Sequence, residues 1–176
     1  MTNLRGEICS LRPYAAGDVD ALQAAGNHFE VARWLTARFP YPYTRADAAA
    51  WVAIASAENP TDTFVIDVDG AFAGCVAIQV HDGEKTGVAE FGYWIAPAFW
   101  GRGIATEAAC LLVTHALYAR CLRRLEAEVF APNLASARVL QKCGFVKEAT
   151  MRRRVTDREG NLLDAYLYAK LATEPR

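Results

Sequence analysis

The spacing of apolar positions changes along the chain, and each change predicts an element. "EICSLRP" alternates and reads as a first strand. "VDALQAA" and "HFEVARWLT" carry apolar residues at helical spacing, with Asp18 placed to cap the first. The two prolines of "RFPYPYT" exclude regular helix, which makes that stretch an aromatic loop. Thr44 then caps the helix "RADAAAWVAIASA", with Asp47 completing a short-armed capping box. From "TFVIDV" onward the period falls to two. That strand, the turn "DG" and "AFAGCVAIQV" predict a hairpin. "HDGEKTG" is a second turn and "VAEFGYWIA" a third strand. Helical spacing returns from Ile104 to Ala119, through Ala108, Leu111, Leu112 and Ala116. "RLEAEVF" is a strand, and "NLASARVLQKC" is a helix closed by Gly144 in a left-handed cap. "GFVKEATMRRRV" and "NLLDAYLYAKLA" form a closing pair of strands. Hairpins dominate and one βαβ unit sits in the middle, so the fold class is α+β with a mixed sheet.

Composition narrows the partners. With 176 residues, 53% of them hydrophobic, residues 1–176 suit a single compact domain. Nineteen basic and 20 acidic residues leave a net charge of -1, which offers nothing global to nucleic acid or an anionic membrane. Any anion site must be local. The run "AACLLVTHALYA" falls well short of the ~20 residues that span a bilayer. Five widely spaced cysteines with no CxxC, and an N-terminus without an apolar signal core, predict reduced thiols in a cytoplasmic protein. His28, His81 and His115 lack ligand spacing, so no metal is assigned.

The local anion candidate is "FWGRGIATEA", between a strand and a helix. First-turn amides of a helix lack partners, and the helix dipole adds positive potential there. Gly101 and Gly103 admit unusual dihedrals, Ala105 and Thr106 keep the space open, and Arg102 adds charge. A plain strand-to-helix turn that binds nothing is the competing reading. A P-loop is excluded, because it requires four residues between its glycines and then Lys-Ser/Thr. A dinucleotide fingerprint meets Thr106 where its third glycine belongs, although Glu126 and Glu128 stand about where its acidic residue would. Antiparallel hairpins ahead of the loop are the wrong context for it. The pyrophosphate of an acyl-CoA is the third reading.

"AEFGYWIAPAFWGRGIATEA" followed by "NLASARVLQKCGF" resembles the GNAT acyltransferase superfamily, and more narrowly its RimJ/RimL-type N-acetyltransferases. "FPYPYTRADAAAWV" and "EATMRRRVTDREGNLLDAYLYA" extend the resemblance over nearly the whole chain. The resemblance implies a mostly antiparallel central sheet flanked by helices, with a splayed strand pair around the βαβ unit. It implies acetyl-CoA as co-substrate, held by amides from Gly101 through Arg102, Gly103, Ile104 and Ala105 to Thr106. Backbone groups of Trp94 and Ile95 would pair with the pantetheine arm like a missing strand. Trp100 departs from the Gln or Arg that opens the family's loop pattern.

The resemblance also implies the chemistry. Glu90 takes the position of a general base, and a carboxylate within otherwise apolar "VAEFGYWI" is expected to be semi-buried; a solvated charge on a half-exposed strand is the competing reading. Asn133 is a pantetheine or acceptor contact, or simply an N-cap. Ser136 takes the position of the hydroxyl that protonates or hydrogen-bonds the leaving thiolate, in a helix that has no tyrosine for that step. Arg138 and Lys142 share a helix face open to CoA phosphates or to solvent; Asp164 and Tyr168 match acceptor-side positions. The expected reaction is direct acetyl transfer to a primary amine, most naturally a protein or peptide N-terminus. A small-molecule amine acceptor and a non-catalytic acyl-CoA sensor stay open, as does a homodimer.

Overall fold

A computed structural model describes residues 2–172. Two short strands, β1 (Leu4–Arg5) and β2 (Ser10–Arg12), precede helices α1 (Val19–Gly26), α2 (Phe29–Ala32) and α3 (Arg45–Ser56). Strands β3 (Thr63–Val68), β4 (Ala71–Val80) and β5 (Val88–Ile95) lead to α4 (Ile104–Thr114). Then follow β6 (Arg124–Phe130), α5 (Leu134–Lys142), β7 (Val146–Thr156) and β8 (Leu162–Leu171). All eight strands form one sheet in the order β1-β2-β3-β4-β5-β6-β8-β7. Every neighbouring pair is antiparallel except β5–β6, which is parallel around α4. The mixed α+β sheet expected from the hydrophobic pattern is therefore present.

The sheet separates two cores. On one face Leu22 of α1 and Ala48, Val52 and Ala55 of α3 pack with Tyr14, Val65 and Cys75. On the other, Ile104, Ala108 and Leu112 of α4 and Ala137 and Leu140 of α5 pack with Phe64, Val76, Phe91 and Leu125. Alternation along each strand supplies both faces, which is why β3 reads as nearly continuous apolar sequence.

Local chemistry sets the boundaries. Thr44 and Asp47 form the expected capping box: Asp47 N–H donates to Thr44 Oγ1 at 3.2 Å and Thr44 N–H to Asp47 Oδ2 at 2.9 Å. Asp18 precedes α1 but its side chain does not cap that helix. Its carboxylate instead accepts from Ala15 N–H and the Arg12 guanidinium, because a buried charge needs a full partner set. The second predicted helix is a single turn over Phe29–Ala32, after which the chain enters the proline loop. The helix from Ile104 gives way to a π-turn over His115–Ala119, so the apolar stripe continues while the hydrogen-bond pattern changes. Gly144 adopts φ +82° as the expected left-handed cap.

Candidate active site

The parallel pairing of β5 with β6 is short. It runs only from Val88↔Arg124 to Glu90↔Glu126. Beyond it, β5 continues beside β4 to Ile95 and β6 continues beside β8 to Phe130, with no pairing between them. The two strands splay and open a slot in the middle of the sheet.

The backbone facing this slot can be assigned. His81 N–H donates to Val88 O at 2.9 Å and Ala96 N–H to Ala73 O at 2.8 Å, and the register between these ends is unbroken. Antiparallel alternation therefore turns the peptide groups of Glu90, Gly92 and Trp94 toward β4. Those of Phe91, Tyr93 and Ile95 face the slot. On the other side, Ala131 N–H donates to Asp164 O and Ala172 N–H to Arg123 O, which turns Glu128 and Phe130 toward the slot. Of the two residues expected to offer backbone groups, Trp94 is paired across β4 with Cys75, and Ile95 lies on the slot edge. Tyr93, two residues earlier, shares that edge. The missed signal was the strand period itself, since adjacent residues cannot present peptide groups to the same edge.

The glycine loop begins where β5 ends. Gly101 and Gly103 sit at φ +75° and +80°, the left-handed region that side chains avoid. Gly103 is the N-cap of α4, and its carbonyl accepts from Thr106 N–H at 3.0 Å and Glu107 N–H at 3.1 Å. Thr106 is thus engaged inside the helix and drops out of the expected set of free amides. Among the described residues, the amides of Gly101, Arg102, Gly103, Ile104 and Ala105 have no protein acceptor. These five consecutive donors, at an open loop and the positive end of a helix, fit a pyrophosphate. Ile104 offers only its amide, because its side chain is core. Arg102 stands over the Phe99 ring at 5.3 Å, with its charge on the loop surface. Trp100 uses its indole N–H to donate to Ile95 O at 2.7 Å, tying the loop to the strand end that edges the slot.

Glu107 secures the other side of the loop. Its carboxylate accepts from the backbone N–H groups of Glu7, Ile8 and Cys9 at 2.8, 2.8 and 2.7 Å. Burial pushes its pKa up, but these donors outweigh it and hold the carboxyl below its ordinary value. The turn between β1 and β2 is thereby fixed against α4, and Ile8 lies 3.4 Å from where a Gly103 Cβ would stand. No local motif signals a contact spanning about 100 residues.

Asn133 and Ser136 start α5. Asn133 Oδ1 accepts from Ser136 N–H at 3.2 Å, so the capping role is realised and its side-chain NH2 remains for other contacts. Ser136 Oγ accepts from the Tyr93 phenol at 3.3 Å. Burial raises Tyr93 to about 12, against a smaller downward pull from the Ser136 contact, so the phenol keeps its proton. α5 itself carries no tyrosine, and the phenol that meets Ser136 comes from β5.

Glu90 does not match its expected environment. Its side chain is 63% exposed, and His81 Nε2 lies 3.5 Å from its carboxylate. That contact is a loose approach without hydrogen-bond alignment, since His81 Nε2 has no hydrogen-bond partner. The expectation of semi-burial is corrected: Glu90 is the last residue of β5 paired with β6, and its side chain stays open to solvent there. Strand alternation puts Glu90 on the α1/α3 face with Trp94, whereas Tyr93 lies against the α4/α5 core.

Over the α1/α3 face the aromatic loop packs onto β5. Phe39 stacks on Tyr43 with centroids 4.5 Å apart and meets Trp94 edge-on at 5.9 Å. Arg158, from the β7–β8 turn, donates to the carbonyls of Ala32, Thr36 and Phe39 at 2.7, 3.3 and 2.5 Å and fixes this loop. A cavity of about 110 Å³ opens beside it, lined by Phe29, Trp34, Pro132 and Leu163. Asp164 accepts from Arg153 N–H at 2.8 Å and closes a bulge in β7, while Tyr168 is core. Arg138 and Lys142 lie outside these contacts on the surface of α5, Arg138 bonding back to Leu134 O.

The comparisons with known proteins agree with this fold. The acetyltransferase (GNAT) domain profile matches residues 9–146. The chain belongs to the GNAT acetyltransferase family. It is an acyltransferase, and acetyl-CoA is its co-substrate. Over 181 aligned residues it is 27% identical to the uncharacterized N-acetyltransferase p20 of Bacillus licheniformis, covering 99% of this chain and 98% of that one. The structure of Mycobacterium smegmatis RimJ in complex with CoA-disulfide superposes with a TM-score of 0.85 at 26% identity, covering 97% of this chain and 88% of that one. RimL, a ribosomal L7/L12 alpha-N-protein acetyltransferase solved with coenzyme A, shares the fold with a TM-score of 0.84 at 20% identity, over 97% and 98% of the two chains. Among the described residues no helix is long and apolar enough to cross a membrane.

Proposed function

We propose that this acetyltransferase acts on the α-amine of a peptide or protein N-terminus by direct attack on the acetyl thioester. One observation carries the choice of acceptor: among the described residues, no buried carboxylate base faces the slot. Glu90 is largely exposed, and Asp18, the buried acid among the described residues, is engaged by Arg12 far from β5. The enzyme must then use an amine that is easily neutral. At pH 7.5 an α-amine of pKa about 8 loses its proton for under ~1 kcal/mol, whereas a lysine amine of pKa about 10.4 requires roughly 4 kcal/mol.

The chain's own groups would divide the work as follows. The amides from Gly101 to Ala105 hold the pyrophosphate, and the slot-facing peptide groups of Tyr93 and the Ile95 N–H orient the pantetheine arm. The acceptor enters past Trp94 and the aromatic loop, on the Glu90 side of the sheet. Its lone pair forms the C–N bond, the C–S bond breaks, and negative charge develops on sulfur. Ser136 offers its hydroxyl hydrogen to that sulfur. Because Tyr93 donates into Ser136 Oγ, the single serine hydrogen is free to point there. A serine hydroxyl is a weak acid, so it acts chiefly as a hydrogen bond to the departing thiolate. The proton lost by the attacking amine leaves through water, with Glu90 and Glu128 as carboxylates on that face.

CoA release measured with a panel of amines tests the reading. The panel holds peptides with a free N-terminus, the same peptides N-blocked but carrying lysine, polyamines, and small amines. Free N-termini are expected to exceed N-blocked lysine peptides in kcat/KM by about a hundredfold, the scale set by the ~3 kcal/mol difference in deprotonation. Preference for a polyamine or small amine would reassign the acceptor. Tight acetyl-CoA binding without turnover on any amine would make the chain a sensor.

A further inference from the structure

Away from the slot, α4 and the end of α5 bring two cysteines together. The Cys110 thiol donates to Cys143 Sγ across 2.9 Å. Cys110 is half-buried in the middle of α4, and Cys143 is the buried C-cap of α5. Cys143 Sγ also approaches Thr106 O at 3.5 Å, in the first turn after the phosphate loop. Both residues line a surface cleft of about 300 Å³ that includes Thr114, Leu117, Lys142 and Lys170. A small oxidant can therefore reach half-buried Cys110 without the fold opening. The other cysteines are differently placed: Cys9 and Cys75 are buried elsewhere, and Cys121 is exposed on its own.

We propose that Cys110 and Cys143 are a reversible disulfide site, oxidised by a small disulfide such as oxidised glutathione. The Cys110 thiolate, on the cleft, attacks one sulfur of the oxidant and releases one small thiol. The Cys143 thiolate then attacks the Cys110 sulfur, forms the Cys110–Cys143 bond and releases the second small thiol. Two protein thiols are oxidised, one small disulfide is reduced to two thiols, and the two cysteine protons end on those thiols. Burial and the neighbouring Cys110 hold the Cys143 thiol up, while the Lys170 ammonium favours its thiolate. Cys143 is thus protected from bulk reagents and positioned to resolve a mixed disulfide on Cys110. The bond would link the helix that follows the phosphate loop to the helix that carries Ser136.

The test uses the full chain and its Cys121→Ser variant, incubated with oxidised and reduced glutathione in stepped ratios. Non-reducing peptide mapping should show an intramolecular Cys110–Cys143 link, with loss of two hydrogens from the intact mass and reversal by dithiothreitol. Closing the intervening loop should raise the melting temperature by roughly 5–10 °C. Cys110→Ser and Cys143→Ser, which keep the side-chain size, should each abolish both effects. A stable glutathione adduct at Cys110 without the protein link would overturn the proposal. So would a link that forms only in denaturant, or one that lowers the melting temperature.

Discussion

Substituting Tyr93→Phe removes one oxygen from the pair that the structure sets at the slot. The Tyr93–Ser136 contact is 3.3 Å between neutral groups, at the long end for a hydroxyl pair. A bond of that kind contributes about 0.5–1 kcal/mol, a two- to fivefold effect on rate if it is fully expressed in the transition state. Ser136→Ala is different in kind. It removes the donor facing the developing thiolate, where loss of one such donor costs about a hundred- to a thousandfold in kcat. Because Tyr93 acts through Ser136, the double variant should be no slower than Ser136→Ala alone. Initial rates should be followed by chromatographic separation of CoA, since exposed Cys121 would react with thiol reagents. The expected pattern is a fall in kcat with little change in acetyl-CoA affinity. Burial holds the Tyr93 phenol at about 12, so the ratio of wild type to Tyr93→Phe should stay flat from about pH 6 to 9. Independent losses that multiply in the double variant would refute the relay. Unchanged turnover in Ser136→Ala would reduce that residue to a helix-start position.

Gly103→Ala puts a side chain at φ +80°, at a cost of about 1–2 kcal/mol, and should weaken acetyl-CoA binding about tenfold by calorimetry; unchanged affinity would dismiss the cradle. Glu107→Gln should narrow its stability deficit under acid. The folded carboxyl lies below its unfolded value, so its contribution is full above about pH 4.3 and fades as pH falls through the lower folded value. A deficit in melting temperature that stays constant into acid would mean that shape, not charge, secures the β1–β2 turn. Arg158→Met removes the donors to Ala32, Thr36 and Phe39 and should raise acceptor KM several-fold while acetyl-CoA affinity holds; equal changes in both would place the aromatic loop on the donor side instead.

The elements were legible where local chemistry decides them. Thr44 with Asp47, Gly144, the "DG" turn and the switch from helical to alternating spacing each impose structure within a few residues. The phosphate loop was legible for the same reason, since Gly101, Gly103 and the helix start are contiguous. Contacts between distant segments were not. Nothing near Tyr93 announces that its phenol meets Ser136, and nothing near Glu107 announces that it clamps the β1–β2 turn. The burial expected for Glu90 depended on what covers that face of the sheet, which an apolar local sequence does not determine. Trp94 is a different case: strand period alone was enough to turn its peptide groups away from the slot.

A crystal structure with CoA bound tests the donor site most directly. The account predicts pyrophosphate oxygens about 3 Å from amides between Gly101 and Ala105, with the pantetheine arm threading the slot between Tyr93–Ile95 and Glu128–Phe130. Its sulfur should lie within hydrogen-bond reach of Ser136 Oγ. A pyrophosphate held away from the glycine loop, or an arm that bypasses the splayed strands, would contradict it.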